Sequence, residues 1–508
     1  MQNVTRIIEN NFLTGYNDRD KPENLRYKDK VYMADIKNGF VEQNKIIKRS
    51  GYTAIGNAPA SKAILGQARH EPAGGSKYVL RARNNSGDTQ SVVEGWSGSG
   101  NWADLTGATT QTASLEHEFV TANDATYIFN VTDTVLKTTN GTSTSTVAGI
   151  PKGQGGKWWH NFLFVYGVST NRSRLYFSDV TTPETFDAVN GFIDVNAGDN
   201  ESIVGIEALQ DTLFIFKPSR VFTLTGYGTA DFTLANMGDF SAIMGTTARR
   251  SIVAGGNYIA YLNYVGQTPH FRIIKNTEFG TFNDGGIISD AITGTMNRII
   301  KTAIPKCAGV FDGRKFWWAI CTSGSTNNEV VVYDTINKGW TRHTGINANV
   351  FNLSTISGST LIQFGDSTTA GLSYKLDTAT SDNGTAISFL VDTPAYQPEP
   401  GHKSRYKYLY MTGDVESAVA VDVDYSPDGF TFQDLGTFTL TGQGAAFGTA
   451  IFDSSRFGST TMARDRLDFA GGSAYYMQYR YSNSVLDQDV SIREWELFYK
   501  KRKLRAIN

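Results

Sequence analysis

KWWHNFLFVYGVSTNRSRLYFSDVTTPETFD, residues 157–187, is the stretch that decides the fold. It contains two short apolar runs, residues 162–166 and 175–177, separated by a polar loop at residues 169–173. Runs this short, rich in Phe, Tyr and Val and bounded by turn residues, are typical of antiparallel strands rather than of a helix. After Asp179, a Thr-Thr-Pro break ends the unit. The stretch therefore predicts a small antiparallel sheet closed by a turn.

Weaker copies of this unit recur along the chain. With residues 157–187 as the third, the other units are residues 78–106, 115–147, 203–234, 249–282, 303–344 and 350–376. Turn sequences that tolerate positive φ join two apolar strands within the units: Gln210-Asp211, Gly255-Gly256-Asn257, Asp312-Gly313 and Ser357-Gly358. A period of roughly 40–50 residues is the signature of propeller blades, which must stack on neighbours to bury their faces. The predicted fold class is all-β, with a β-propeller of about six to seven blades.

Three further parts surround the repeats. Residues 1–50 are more charged and form an N-terminal arm, so the propeller is expected over residues 51–391. Residues 392–402, DTPAYQPEPGH, contain three of the 12 prolines and predict a linker. Residues 403–508 alternate apolar and polar side chains, which predicts an antiparallel β-sandwich of jelly-roll type. Two interpretations of the arm stay open: a solvated leader that packs along the propeller rim, or a segment with an active role.

Composition narrows the functional classes. Across 508 residues the net charge is -2 and 19% of residues are charged, which is no basic footprint for specific nucleic-acid binding. The sequence contains no uninterrupted apolar stretch long enough to cross a membrane, and the N-terminus lacks the apolar core of a signal peptide. Cys307 and Cys321 are too few for a disulfide scaffold, so we expect free buried thiols, as in a chain folded in a reducing cytosol.

The most motif-like segment is YSPDGFTF, residues 425–432. It is similar to the Asp-box of sialidase-type propellers and to a hairpin of discoidin-like sandwiches. Asp428-Gly429 supplies the turn, and Ser426 is able to bond to its backbone. A structural hairpin is the favoured interpretation, because such a box is a folding element and the motif occurs once, outside the repeats.

Other candidate groups have ordinary structural explanations. Asp194, Asn196, Asp199 and Glu201 place oxygens at alternating positions, but a Ca²⁺ loop needs six or more ligands, so a solvated loop is favoured. The histidines lack metal spacing, and no nucleophile elbow or P-loop is present. Five tryptophans either line a sugar-binding rim or, as we favour, pack between blades: Trp158, Trp159, Trp317, Trp318 and Trp340. We therefore expect no enzyme activity, and assign no catalytic, metal or cofactor-binding residue and no cofactor.

Two segments carry a resemblance to a known family. RLYFSD at residues 174–179 and PETFD at residues 183–187 resemble the nozzle (tail hub, tail tubular B-type) proteins of short-tailed bacteriophages. A K-R-x-G-Y sequence before the first blade of that family is matched at residues 48–52, although its usual Gly- and Pro-rich opening is largely missing here. The similarity extends over roughly residues 45–290.

The resemblance implies a structural virion protein of the phage tail, synthesised in the host bacterial cytoplasm. It implies a homo-oligomeric ring, commonly a hexamer, that attaches to an adaptor ring (the head-to-tail connector) and serves as a platform for tail fibres or spikes. Phage DNA passes transiently through such a ring without specific binding, and no membrane insertion is expected. Near-neutral charge suits this conduit, because a basic lumen would retain phosphates.

The C-terminal basic run supplies the candidate assembly contacts, with a solvated tail as the other interpretation: Lys500, Lys501, Arg502, Lys503 and Arg505. The alternative function is a glycan-binding or glycan-cleaving propeller of receptor-binding or depolymerase type, suggested by the Asp-box-like hairpin and the tryptophan pairs.

Overall fold

The computed structural model describes residues 4–27, 30–107, 111–237, 244–265, 268–277, 282–355, 360–368, 370–398, 401–415, 417–441, 461–469 and 472–501. Within these ranges the chain is all-β apart from short helical turns, and its strands are numbered here in chain order. The sequence explains this class: glycine and turn residues recur every few positions between runs of Val, Ile, Phe and Tyr, which favour the pleated sheet.

The first strands belong to the predicted arm and to the start of the propeller. They are β1 (Thr5–Glu9), β2 (Arg26–Tyr27), β3 (Lys30–Val31), β4 (Asp35–Lys37), β5 (Gly39–Glu42), β6 (Lys45–Lys48) and β7 (Gly51–Ile55). The helical turns are 3-10 segments at Pro22–Asn24, Arg249–Ser251, Asp290–Ile292 and Lys301–Lys306, and one α-helix, α1 (Thr293–Arg298).

Most strands then fall into groups of four, each of which is a blade. Blade 1 is β8 (Ile64–His70), β9 (Tyr78–Asn84), β10 (Gln90–Trp96) and β11 (Ala103–Asp104), followed by the short strands β12 (Thr106–Gly107) and β13 (Gln111–Thr112). Blade 2 is β14 (Glu118–Ala122), β15 (Ala125–Phe129), β16 (Val135–Thr138) and β17 (Ser143–Val147). Blade 3 is β18 (Gly155–Trp159), β19 (Phe162–Tyr166), β20 (Arg174–Phe177) and β21 (Phe192–Asp194).

The remaining blades follow the same pattern. Blade 4 is β22 (Gly205–Leu209), β23 (Thr212–Phe216), β24 (Val221–Thr225) and β25 (Thr233–Asn236). Blade 5 is β26 (Val253–Gly255), β27 (Tyr258–Val265), β28 (Thr268–Asn276) and β29 (Phe282–Ile287). Blade 6 is β30 (Ala308–Phe311), β31 (Lys315–Ile320), β32 (Glu329–Asp334) and β33 (Trp340–Thr344). Blade 7 has β34 (Ala348–Ser354), β35 (Leu361–Asp366) and β36 (Ser373–Ala379).

The blades close into a ring, which confirms the β-propeller. The innermost strands contact one another in the cyclic order β8, β14, β18, β22, β26, β30, β34 and back to β8. The N-terminal strand β7 pairs antiparallel with β36 and supplies the fourth strand of blade 7. Six of these sheets are separate blades, whereas blade 6 is one end of a nine-stranded sheet that continues out of the propeller.

The C-terminal strands form two sheets that share a core with blades 5 and 6. The strands are β37 (Phe389–Asp392), β38 (Ser404–Val415), β39 (Val419–Ser426), β40 (Gln433–Leu440), β41 (Thr461–Asp468), β42 (Ser473–Ala474), β43 (Gln478–Asn483) and β44 (Ser491–Lys501). One sheet runs β41-β38-β44-β6-β5, and the nine-stranded sheet runs β30-β31-β32-β33-β4-β37-β43-β39-β40. Met411 and Trp495 of the first sheet and Val421 and Tyr481 of the second belong to one buried cluster.

The division predicted for the ends of the chain differs from the sheet topology. The arm is not a solvated leader, because β1, β4, β5 and β6 are strands of the two C-terminal sheets and Phe12 is fully buried. Residues 392–402 begin inside strand β37, and residues 393–396 are buried, so the first part of the predicted linker is packed into the core. A hydrophobic pattern identifies the buried face of a strand but not its distant pairing partner, which explains both differences.

Several local predictions agree with the structure. The turn residues Gln210, Gly256 and Gly313 all have positive φ, whereas Ser357-Gly358 lies outside the described residues. Cys307 and Cys321 are free and buried. The first unit begins earlier than predicted, because residues 64–70 form its inner strand β8.

Candidate functional site

The axis of the propeller encloses a cavity of about 460 Å³. Every innermost strand contributes to its wall, which includes Gln67, Phe119, Lys157, Glu207, Phe311 and Asn352. The ammonium of Lys157 pairs with the Glu207 carboxylate across neighbouring blades. Burial opposes the charge of Lys157, but the Glu207 carboxylate outweighs it and raises the pKa of the ammonium. The wall is thus a mixed apolar and polar surface, on which the charges of Lys157 and Glu207 neutralise each other.

Two adjacent arginines close the channel at the end where the inner strands begin. Arg249 and Arg250 lie in the turn before blade 5, yet Arg250 donates to the carbonyls of Leu65, His117 and Asn349. These acceptors lie in or directly before the innermost strands of blades 1, 2 and 7, which are not neighbours of blade 5 in the ring. The guanidinium of Arg250 therefore crosses the channel at this end.

Carboxylates compensate the positive charges of Arg249 and Arg250. Arg249 donates to Glu116 at 2.6 Å and to the Glu118 carboxylate. Burial of Glu116 favours its neutral form, but the charges of Arg250 and Arg249 outweigh burial and lower its pKa to about 2. Tyr166 donates to Glu118 at 2.9 Å and completes the network. Both glutamates therefore form ion pairs with Arg249 at the end of the channel.

The K-R-S-G-Y segment at residues 48–52 joins three parts of the molecule. Arg49 forms a bidentate ion pair with Asp382, with Nη1–Oδ1 and Nη2–Oδ2 distances of 2.7 and 2.5 Å. It also donates to the carbonyl of Thr344 at 2.9 Å and to the side chain of Asn38 at 3.0 Å. Arg49 thus ties the arm to the end of blade 6 and to the segment that follows blade 7.

The neighbours of Arg49 strengthen the same junction. Buried Lys48 donates to Asn483 Oδ1 at 2.8 Å and to the Gln488 carbonyl at 3.0 Å, and burial lowers its pKa. A Cβ on Gly51 would lie 2.0 Å from the carbonyl oxygen of Ser381, so only glycine fits. Tyr52 packs edge-on against Phe364 within blade 7. The segment at residues 48–52 is therefore the meeting point of arm, propeller and sandwich.

Charged pairs also cross the seam of the nine-stranded sheet. Arg342 of β33 binds Asp35 of β4, with an Nε–Oδ1 distance of 2.6 Å. Arg480 of β43 binds Asp392 of β37 through two contacts of 2.7 and 2.8 Å. The pairs join strands that are distant in sequence, so the propeller and the sandwich are held as one continuous structure.

The resemblance segment at residues 174–187 links blades 2 and 3. Leu175 and Phe177 are buried in the core between blades 3 and 4. Glu184 accepts hydrogen bonds from the Tyr127 hydroxyl at 2.9 Å and from Lys137 at 2.5 Å, both in blade 2. Its residues therefore act in packing between blades.

The Asp-box-like segment at residues 425–432 is the turn between β39 and β40, as expected. Asp428 accepts hydrogen bonds from the amides of Phe430 and Thr431, which lower its pKa. The Ser426 hydroxyl donates to the Asp428 carboxylate at 2.9 Å, rather than to the backbone. The side chains of this box are engaged in holding the turn.

The remaining predicted positions are dispersed. Asp194 pairs with Arg174 and Asp199 with Lys217, each at 2.8 Å, and Glu201 accepts from Ser219 at 2.7 Å. In the described part of the chain, no group of three His, Cys, Asp or Glu side chains is arranged to hold a metal. Four of the five tryptophans are buried, and Trp158 is half-buried.

The C-terminal basic run is partly described. Lys500 and Lys501 end strand β44, opposite Arg405 and Ser404 of β38. Arg502, Lys503 and Arg505 lie outside the described residues. Over the ranges that the structure describes, no helix is long and apolar enough for a membrane span.

Comparisons with known proteins find only solved structures of low similarity. No family model matches the chain, and no curated protein matches it. Among solved structures, YCF48 from Cyanidioschyzon merolae is similar with 13% identity and a TM-score of 0.38, covering 65% of this chain and 98% of that one. The WD40 β-propeller domain of Doa1 gives 9% identity and a TM-score of 0.41, with coverage of 65% and 97%. The WD40 domain of Toxoplasma gondii coronin gives 11% and 0.39, with coverage of 68% and 87%.

Proposed function

We propose that this protein is a structural subunit of the tail nozzle of a short-tailed bacteriophage. In this role it forms a homo-oligomeric ring, a hexamer by family resemblance, that attaches to the adaptor ring and carries tail fibres or spikes. The resemblance of residues 174–187 and 48–52 is the starting point.

The observation that carries the proposal is the junction at Arg49. The residues that match the phage pattern tie the arm, the last blade and the sandwich together, through the 2.7 and 2.5 Å contacts to Asp382. A subunit that bears load in a tail needs its two β-domains fixed to each other rather than connected by a free linker. The two-domain interface is continuous through a nine-stranded sheet, which suits that requirement.

The closed channel supports a structural role over catalysis. The side chains of Arg249 and Arg250 fill the end of the channel, and their charges are balanced by Glu116 and Glu118. The cavity of about 460 Å³ is also far too small for duplex DNA, whose helix is wider than its major groove of ≈ 12 Å. DNA would therefore pass through a lumen enclosed between subunits, lined by acidic or neutral loops because basic groups retain phosphates.

The proposal is tested on particles from the native source. Particles are sedimented, probed for this chain by mass spectrometry, and imaged after labelling with an antibody to the sandwich. A fixed copy number in a ring at the tail supports the proposal. A chain that stays in the supernatant as a soluble monomer and is missing from washed particles refutes it.

A further inference from the structure

An aromatic stack reaches the surface where blades 3 and 4 meet. The imidazole of His160 lies between the indole of Trp159 and the phenol ring of Tyr227, at centroid distances of 4.0 and 4.4 Å. The planes of His160 and Tyr227 differ by only 4°. Trp159 belongs to the buried core between blades 3 and 4, so the inner end of the stack is packed into the propeller.

Hydrogen bonds fix the outer ring in place. His160 Nδ1 lies 3.0 Å from the carbonyl oxygen of Gly226, and Nε2 lies 3.5 Å from Asp211 Oδ1. The Asp231 carboxylate accepts from the amides of Tyr227 and Gly228 at 3.1 and 2.7 Å. The Asp211 carboxylate lies close enough to the Tyr227 hydroxyl to raise the pKa of that phenol. The ring is therefore oriented before any ligand arrives.

The outer ring nevertheless remains open to solvent. The Tyr227 residue is 64% exposed, although one face of its ring is covered by His160. The Asp211 side chain beside it is 76% exposed and retains accessible oxygen lone pairs. A fixed, half-bare aromatic ring beside an exposed carboxylate is an arrangement that folding alone does not require, because an aromatic ring that stays in solvent adds little to the stability of the fold.

The surroundings of the ring favour a sugar over a protein partner. Protein hot spots lie in desolvated patches ringed by other contacts that exclude water. The exposed residues that flank Tyr227 in the sequence are small or polar: Thr225, Thr229, Ala230 and Asp231. A flat aromatic face with hydrogen-bonding groups at its edge suits a pyranose, which has one apolar C–H face and hydroxyls around its rim.

We propose that Tyr227 is a carbohydrate-binding platform. A hexopyranose stacks its C–H face on the bare face of the Tyr227 ring, and one of its hydroxyls donates to the Asp211 carboxylate. His160 and Trp159 are positioning residues that hold the platform flat. The site goes beyond the proposed nozzle function and does not depend on it. In a ring, several such platforms would act together and raise a weak single-site affinity by avidity.

Saturation-transfer NMR on the full chain tests the site, with the methyl glycosides of glucose, galactose and mannose as probes. We expect transfer to the ring protons of one pyranose face for at least one probe. Tyr227→Ala should weaken binding about tenfold, because an aromatic stacking contact is worth about one tenfold step in affinity. Tyr227→Phe keeps the ring and should retain the stacking signal, while Asp211→Asn should weaken binding.

Controls separate binding from folding. Tyr475→Ala removes another half-exposed tyrosine, in the sandwich, and should leave the signal unchanged. Tyr227→Leu keeps apolar bulk but not a flat face, so it should lose the signal with an unchanged melting temperature. Absence of transfer from all three probes, or equal transfer in wild type and Tyr227→Ala, overturns the proposal. A change of self-association in Tyr227→Ala without any sugar signal overturns it in favour of a protein contact.

Discussion

Arg49 and Asp382 form a buried bidentate ion pair although they lie 333 positions apart in the chain. Their side chains are only 2% and 9% exposed. The pair lies where the arm, the propeller and the sandwich meet, so its integrity reports on the coupling of the domains. This coupling is the structural basis of the proposed role as a tail building block.

Removal of the Arg49 side chain should uncouple these parts. Arg49→Met leaves the Asp382 carboxylate buried and unpaired, which we expect to cost about 3–5 kcal/mol of unfolding free energy. Urea unfolding followed by tryptophan fluorescence measures the loss. Arg49→Lys keeps the charge but not the two parallel contacts, and should lie between wild type and Arg49→Met. Arg69→Met, at an exposed arginine, should change little; equal losses in Arg49→Met and Arg69→Met would contradict the assignment.

Gly51 should tolerate no side chain. A Cβ at this position meets the Ser381 carbonyl oxygen at 2.0 Å, so Gly51→Ala must displace backbone where β7 closes the propeller. We expect a loss of about 3 kcal/mol and faster cleavage near the N-terminus by trypsin. Gly74→Ala is the matched control, because nothing lies within 4 Å of its added methyl group. A Gly51→Ala protein as protease-resistant as Gly74→Ala would show that the junction is loose.

The buried histidines should make the protein sensitive to mild acid. Burial lowers the pKa of His343 well below 6.5 and that of His117 to about 4, and nearby arginines reinforce both shifts. The unfolded chain therefore binds more protons than the folded one below about pH 6.5. The contribution of the neutral histidines to the unfolding free energy is fully present above that pH and is lost as the pH decreases toward 4. Melting temperatures from pH 8 to pH 4.5 measure the decline. His343→Phe should show a shallower decline; an unchanged slope would mean that this histidine is not neutral in the fold.

The cluster of Arg249, Arg250, Glu116 and Glu118 at the end of the channel should behave as one charge-balanced unit. Arg249→Met leaves Glu116 and Glu118 beside Arg250 alone, and we expect a loss of about 3 kcal/mol. In the double variant Arg249→Met/Glu118→Gln, the total loss should be smaller than the sum of the single losses, because both changes remove the same pair. A double-mutant cycle by urea unfolding measures the coupling. Strict additivity would mean that the arginine does not depend on this carboxylate.

The end of strand β44 should take part in assembly if the basic run is a ring contact. Lys500→Glu/Lys501→Glu reverses two charges while Ser404 and Arg405 keep their backbone pairing. We expect unchanged melting but a lower copy number of this chain per particle when the variant complements a deletion. Lys152→Glu, at an exposed position between blades 2 and 3, is the control. Normal incorporation of the double variant would remove this run from the assembly contacts.

The blades were predictable because each is local. Turn residues such as Gly313 and Gly256 stand between two apolar runs, and these two runs pair with each other as strands. The sequence pattern of a blade therefore also identifies which strands pair. The three-residue strand β4 was not predictable, because nothing in Asp-Ile-Lys indicates that it joins β33 to β37. The alternation of apolar and polar residues identifies the buried face of a strand, but it does not identify the distant strand with which that strand pairs.

The candidate site residues also differ in how far their contacts could be predicted from the sequence. The turn role of Asp428 follows from its neighbours in sequence, and the structure agrees. The ion-pair partners of Arg249 and of Arg49 lie more than a hundred residues away, so these pairs left no local pattern in the sequence. Tyr227 was missed as well, and its only sequence signal is the pair of flanking glycines in Gly-Tyr-Gly.

The association of this chain with phage particles tests the central claim most directly. Particles purified from the native source by density gradient should contain the chain at a fixed copy number relative to the adaptor protein. Averaged images of their tails should show it as a closed ring. A chain that is absent from intact particles, and that accumulates instead as a free monomer in the lysate, would contradict the account.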